Sequence, residues 1–206
     1  MIKTTGLKKL SRVIRQTHMF LALFLTPWML MYSLSTMVMN HRAYFKARYG
    51  GALVHWEKER EQMTGLQLNS NAPPRFMAEQ ILQTLQLKGN FNANLARNGQ
   101  TLTILRTDPL APRRITYTPA NGKLLVEKQE FRSQPFLESL HRRRGFQSPV
   151  LLDDLWGGAV DLAIVAMVFW VVSGLWMWWE LKSTWRLGAV FALAGCALFA
   201  LFVFTI

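Results

Sequence analysis

Residues 19–39 read MFLALFLTPWMLMYSLSTMVM and contain no charged side chain. As an α-helix this stretch extends roughly 30 Å, which is about the thickness of the hydrocarbon core of a bilayer. We therefore predict a first transmembrane helix over residues 18–40. Pro27 is expected to bend that helix, because proline lacks the amide proton of a helical hydrogen bond.

The alternative for this segment is a cleaved secretory signal, because residues 1–17 are basic. They contain five positive charges: Lys3, Lys8, Lys9, Arg12 and Arg15. The apolar run is longer than a signal sequence requires, and it ends in Met39-Asn40-His41-Arg42 without a pair of small residues for cleavage. A membrane-spanning helix is thus the favoured prediction.

Two further apolar stretches predict a second span over residues 157–179 and a third over residues 187–206. Only the loop 180–186, ELKSTWR, connects them, so the two helices must form an antiparallel hairpin. Small residues recur at every fourth position of the third span (Gly188, Ala192, Cys196 and Ala200). Such a stripe permits close helix packing, either against a partner membrane protein or in self-association.

The positive charges predict the orientation of the three spans. Basic residues precede the first span, and Lys182 and Arg186 lie in the short loop, so both flanks are expected to be cytoplasmic. The segment 41–156 is then extracytoplasmic, and the C-terminus lies on the same outer side. The predicted fold class is an α-helical membrane protein with three transmembrane helices and a small extracytoplasmic α+β domain.

Composition excludes several functions. The net charge of +12 is concentrated around the apolar runs, which favours contact with lipid and argues against a nucleic-acid surface. Cys196 is the only cysteine, so this chain alone forms no intrachain disulfide, thiolate zinc site or iron–sulfur cluster. No sequence motif indicates a nucleophile with its base, a phosphate loop or a dinucleotide site. Any enzymatic role would therefore depend on a bound cofactor, and no catalytic residue is assigned.

The segment between the first two spans contains signals for one helix and a meander. Prolines 73 and 74 begin a helix that continues to Leu87. Alternating runs follow, separated by Asn98-Gly99 and Asn121-Gly122, and Asn-Gly is a strong hairpin signal. Another helix is expected from Ser133 to before Gly145. Residues 42–70 are polar with scattered aromatics, and we expect them to extend the first span outward before a loop at Thr64-Gly65.

Several of these pieces resemble the PepSY-associated transmembrane family. The resemblance covers residues 10–180, and its more specific parts are Leu140-His141 and Ser173-Gly174-Leu175-x-x-Trp178. The end of the first span, YSLSTMVMNH (32–41), and Val160-Asp161-Leu162 also match. In the family pattern a small residue and glycine follow Leu-His, whereas here Arg142, Arg143 and Arg144 intervene before Gly145.

The resemblance implies a PepSY-like extracytoplasmic domain and a location in the bacterial inner membrane. Larger relatives have a fourth span and include haem-bearing reductases of ferric siderophores. The present chain is similar to the short three-span form, for which a catalytic role is less established.

The histidines are the candidate ligands of haem b. His18 and His41 would lie roughly 34 Å apart along one helix and cannot share an iron. His41 ends the first span and His141 precedes the second, so both are expected at the outer face, and together with the resemblance they form the predicted axial pair. The alternative is that His41 caps a helix and His141 is exposed. His18 is expected at the cytoplasmic interface, and His55 at the surface.

Asp161 and Arg142 complete the predicted cofactor-binding residues, with His41 and His141 also predicted as the metal ligands. Asp161 lies about one turn inside the predicted second span, where a carboxylate is costly unless it has a partner. Its role is either to orient a ligating histidine or to accept a structural hydrogen bond. Arg142 is expected to contact haem propionates or, alternatively, lipid headgroups.

Two functions follow from these observations. The first is a haem b electron-transfer protein that reduces a ferric siderophore or another metal complex at the outer face. The second is a non-catalytic binding or assembly protein, in which the spans anchor an extracytoplasmic PepSY-like domain that holds a partner.

Overall fold

The computed structural model describes residues 2–65, 72–96, 99–108, 110–143, 145–146 and 150–205. Three of its helices are long and apolar enough to cross a membrane, in the segments Lys8–Asn40, Leu151–Glu180 and Lys182–Thr205. The chain divides into two compact units, which we call the helix unit (residues 1–29 and 159–206) and the sheet unit (residues 30–158).

The helices begin earlier than the sequence prediction placed the spans. Helix α1 is Ile2–Asn40, so residues 2–17 of the basic segment are helical and continuous with the apolar run. Helix α5 is Leu151–Glu180 and begins six residues before the predicted start of the second span. A 3₁₀ turn, Lys182–Thr184, leads into α6, which is Trp185–Thr205. Charged residues interrupt the apolar signal at both starts, five basic residues in α1 and Asp153 with Asp154 in α5, which explains why hydropathy truncates these two helices.

The sheet unit contains one five-stranded antiparallel sheet of spatial order β1-β5-β4-β3-β2. Its strands are β1 (Trp56–Met63), β2 (Phe91–Leu95), β3 (Leu102–Arg106), β4 (Arg113–Thr118) and β5 (Lys123–Gln129). Strands β2 to β5 form the predicted meander. Asn98 of the first predicted turn lies outside the described residues, whereas the second turn has Gly122 at φ 65°.

Strand β1 is absent from the sequence prediction. Its sequence WEKEREQM is mostly charged, so it has no hydrophobic alternation to identify it. It lies at the edge of the sheet and pairs with β5, and charged residues are typical of edge strands because they discourage further pairing. The segment after α1 also forms a short helix, α2, at Arg42–Arg48.

One face of the sheet packs against helix α3, which is Pro74–Thr84. Alternate residues of β3, β4 and β5 point to this face, where Ile104 and Ile115 are completely buried with Ile81 of α3. Apolar burial of this kind is the main driving force for a small domain. The remaining helix of the sheet unit, α4 (Ser133–Arg142), follows β5 and agrees with the predicted helix from Ser133.

In the helix unit, α1 packs against α5 through one small apolar cluster. Leu25 is completely buried beside Ala163 and Ala166. The alanines leave room for the leucine, as expected where helices approach closely. Helix α6 has no buried residue.

Candidate functional site

His141 lies in the last turn of α4 and contacts the C-terminal part of α1. Its Nδ1 is 2.7 Å from the hydroxyl of Ser35, which is completely buried, and its ring meets the ring of Tyr32 edge-on at 5.1 Å. The Ser35 hydroxyl also lies 2.9 Å from the carbonyl of Tyr32, to which it donates. If the hydroxyl donates there, it accepts from His141, which fixes the proton on Nδ1 and leaves Nε2 as the acceptor or ligand atom.

His41 directly follows Asn40, the last residue of α1, and is the N-cap of α2. It is exposed, and among the described residues its imidazole has no hydrogen bond or ion pair. The structure therefore places His141 on Ser35 and Tyr32, and no hydrogen bond or ring contact joins His141 to His41 among the described residues.

The described positions of His41 and His141 can be compared with what a haem iron requires of its ligands. Two axial imidazoles must approach one iron from opposite faces of the porphyrin. His141 meets the requirement for one ligand, because its Nδ1 is held and its Nε2 has no hydrogen-bond partner among the described residues. His41, the other predicted ligand, has no hydrogen bond or ion pair that holds its imidazole among the described residues. The described residues also contain no group of three or more histidine, cysteine or acidic side chains suited to a metal ion.

Asp161 lies deeper in its helix than the sequence prediction assumed. Because α5 begins at Leu151, Asp161 is roughly 15 Å from the start of that helix. Its side chain is exposed and makes no hydrogen bond or ion pair with the described residues. No histidine is therefore oriented by Asp161 in the part of the chain that the structure describes.

The basic run after His141 connects α4 with its surroundings. Arg142 donates to Glu138 at 3.0 Å, and Arg42 donates to the same carboxylate oxygen at 3.4 Å. Arg143 donates to Asp153 at 2.7 Å, so it joins the end of α4 to the start of α5. Arg144 lies outside the described residues. Two of the three arginines therefore have structural carboxylate partners.

The second face of the sheet forms one wall of a cleft of about 740 Å³. Trp56 and Leu105 line the cleft from the sheet, and Arg142, Arg143 and Asp153 line it from α4 and α5. Arg114, on the same sheet, places its guanidinium 4.8 Å from the ring centre of Trp56 and binds Glu127 through two hydrogen bonds. This pairing raises the pKa of Arg114 and keeps its charge fixed beside the cleft.

A smaller cavity of about 370 Å³ adjoins the cleft, and we call it the Gln134 cavity. Gln134 is completely buried and donates its amide to Glu138 at 2.8 Å, while its Oε1 has no hydrogen-bond partner. The other lining residues include Arg42, Arg142 and Arg132 together with apolar side chains: Leu53, Val54, Phe131 and Phe136. The sequence analysis missed this cavity, because its walls come from four chain segments that share no motif.

His18, which the sequence predicted only as an interfacial residue, has specific side-chain partners in the structure. In the helix unit its Nδ1 is 2.8 Å from the hydroxyl of Ser173, and its ring stacks on Trp170 with 5.3 Å between ring centres. A side chain at Gly174 would lie 3.3 Å from the His18 ring, so glycine permits this approach. The pair joins α1 to α5, and Ser173-Gly174 was part of the resemblance.

Comparison with known proteins adds no assignment: no protein-family model matches the chain, and neither a curated protein nor a solved structure matches it.

Proposed function

We propose that this chain is a PepSY-type membrane-anchored binding protein of the bacterial inner membrane. Its N-terminus would be cytoplasmic, and its sheet unit and C-terminus would be extracytoplasmic. The observation that carries the proposal is the cleft beside the sheet, because its volume of about 740 Å³ lies within the usual range for ligand sites. Its walls combine an aromatic ring, aliphatic side chains and fixed charges, which is the usual chemistry of a specific site.

A bulky side chain placed in the cleft tests this function. Ser139 is exposed on α4 and lines both cavities, so Ser139→Trp would fill the space without disturbing the sheet core. The matched control is Thr84→Trp, at an exposed position of α3 that does not line the cleft. We expect Ser139→Trp to fail, and Thr84→Trp to succeed, in restoring the phenotype of a deletion strain. Full rescue by Ser139→Trp would contradict the proposal.

Haem b electron transfer, with reduction of a ferric siderophore or another metal complex, is the second candidate. It is favoured by the bond between Ser35 and His141, because a held Nδ1 with a free Nε2 is the arrangement that a ligating histidine needs. When bound, a haem would supply one-electron chemistry. A second ligand besides His141 would be required, and His41 is the candidate, because its imidazole has no hydrogen bond or ion pair among the described residues.

Spectroscopy separates the two candidates. The protein would be purified in detergent after expression with haem supplied, and a reduced-minus-oxidised spectrum recorded. A b-type band that His141→Ala removes, and that the surface control His55→Ala leaves intact, would favour electron transfer. Absence of the band, with rescue of the deletion strain by His41→Ala/His141→Ala, would favour the binding protein.

Self-association through the third span is a further part of the proposal. Its support is that α6 has no buried residue and carries Cys196 on the stripe of small residues. Because Cys196 is the only cysteine, oxidation of the protein in membranes is a direct test. A disulfide-linked dimer that Cys196→Ala abolishes supports pairing through this stripe, and a monomer under the same conditions argues against it.

A further inference from the structure

The Gln134 cavity contains an acceptor that lacks a donor. The Glu138 carboxylate only accepts hydrogen bonds, so the amide nitrogen of Gln134 must face it and Oε1 must face away. A buried carbonyl oxygen without a partner is destabilising. Because Gln134 has no accessible surface, a ligand in the cavity must displace neighbouring side chains to reach Oε1, and a hydrogen bond donated there would remove that penalty.

The same cavity has two arginines with unused donors. Arg42 and Arg142 each give one N–H to Glu138, and their side chains are 55% and 68% exposed. Most of their guanidinium groups are therefore open to a further ligand. By contrast, the guanidinium of Arg132 is already occupied, because it binds Glu130, the carbonyl of Ala52 and the ring of Tyr49.

The charges around this cavity favour an anion. Three arginines (Arg42, Arg132 and Arg142) face two carboxylates (Glu130 and Glu138), which leaves one positive charge in excess. Two guanidinium groups that share one carboxylate can together chelate a phosphate, since arginine binds phosphate oxygens through forked hydrogen bonds.

The position of Arg42 indicates the source of that anion. Arg42 lies two residues beyond Asn40, the last residue of the first helix that is apolar enough to cross a membrane. Basic residues at that point are at the depth of lipid headgroups. Apolar side chains line the same cavity, and they suit the glycerol end of a lipid: Leu53, Val54, Phe131 and Phe136.

We propose that the Gln134 cavity binds the headgroup of an anionic glycerophospholipid. Its phosphate contacts Arg42 and Arg142, and a headgroup hydroxyl donates to Oε1 of Gln134. A soluble glycerol phosphate shares this chemistry, and the depth of Arg42 favours the lipid. This site does not depend on the ligand of the adjoining cleft, so it stands or fails separately from the proposed function.

Native mass spectrometry of the full chain released from detergent micelles tests the site. We expect phosphatidylglycerol to bind roughly 30-fold more tightly than phosphatidylcholine, because Arg42 and Arg142 each make one favourable contact with its negatively charged headgroup. Arg42→Ala/Arg142→Ala should abolish this preference. The control Arg48→Ala removes a charge from α2, at a position that does not line the cavity, and should preserve it.

A second arm tests Gln134. Phosphatidylmethanol is anionic but has no headgroup hydroxyl, so the wild type should bind it more weakly than phosphatidylglycerol. Gln134→Leu should bind both lipids equally while still preferring them to phosphatidylcholine.

Three results would overturn the proposal. They are equal binding of phosphatidylglycerol and phosphatidylcholine by the wild type, an equal loss of preference in Arg48→Ala, and full displacement of the lipid by soluble glycerol phosphate. The last result would assign the site to a soluble anion.

Discussion

The sheet unit and the helix unit place their apolar side chains in opposite ways. In the sheet unit Ile81, Ile104 and Ile115 are completely buried, whereas in the helix unit α6 has no buried residue at all. Water drives apolar side chains inward in the first case, but lipid would surround them equally well in the second. The helices therefore depend on close contacts of small residues and on polar pairs, and the sheet depends on its core.

The largest expected difference concerns the core of the sheet unit. Ile104→Ala should lower the free energy of unfolding of this unit by roughly 2–5 kcal/mol, because it leaves a cavity under α3. Val172→Ala, at an exposed position of α5, should change stability by less than about 0.5 kcal/mol. Hydrogen exchange of the β3 and β4 amides in micelles measures the first effect. Equal effects of the two substitutions would remove the contrast between the units.

Glycine contacts provide the next test. A methyl group at Gly145 would lie 2.4 Å from the Cα of Gly157, whereas one at Gly188 would lie 2.1 Å from the Trp178 side chain. Backbone cannot move aside as an indole ring can, so Gly145→Ala should cost about 1–3 kcal/mol and Gly188→Ala less. Thermal unfolding in detergent checks this order, with Gly158→Ala as the control because open space surrounds it. A larger loss from Gly188→Ala would contradict it.

The two histidine–serine pairs allow a smaller and more exact comparison. His18 binds Ser173 in the helix unit, and His141 binds Ser35 in the sheet unit. Double-mutant cycles with alanine should give a coupling energy of about 0.6 kcal/mol for the first pair and no more than about 1.7 kcal/mol for either. A coupling energy of zero for His141 and Ser35 would show that this bond does not hold the imidazole.

The smallest effect concerns the charged edge of the sheet. Hydrogen bonds from Lys123 and Lys58 lower the pKa of Glu61 from 4.5 to about 2, and Arg113 lowers the pKa of Glu59. A carboxylate with a depressed pKa stabilises the fold above its ordinary pKa, and this contribution is lost as the pH falls through the folded value. The thermal midpoint should therefore decline from about pH 5 toward pH 2.

Glu61→Gln provides the control for this pH dependence. The variant should have a slightly lower midpoint at neutral pH and a shallower acid decline, as measured by circular dichroism. An unchanged acid decline would exclude Glu61 as its source.

The predictable parts of the molecule are those with local signals. Long apolar runs predicted three spans, and Asn-Gly dipeptides predicted the meander, because each signal lies within one continuous stretch of sequence. Strand β1 was not predicted, because a charged edge strand is specified by its pairing with β5 and not by a local sequence signal. The cavity around Gln134 was not predicted for a related reason, since it forms only when α2, α4 and residues of β3 and β5 meet.

His141 shows how much of the candidate site the sequence could predict. Sequence placed it near the end of α1, but only the packing of α4 selects Ser35 and Tyr32 as its neighbours. One helical position changes the direction of a side chain by about 100°, so spacing alone could not decide which residue it meets.

The orientation of the sheet unit relative to the membrane is the basis of the proposed function. Single cysteines at Asn121, in an exposed turn of the sheet, and at Lys182, between α5 and α6, would be introduced into Cys196→Ala protein. In intact spheroplasts, a membrane-impermeant maleimide should label Asn121→Cys at once and Lys182→Cys only after permeabilisation. Labelling of Lys182→Cys from outside, or protection of Asn121→Cys, would contradict an extracytoplasmic binding unit anchored by three spans.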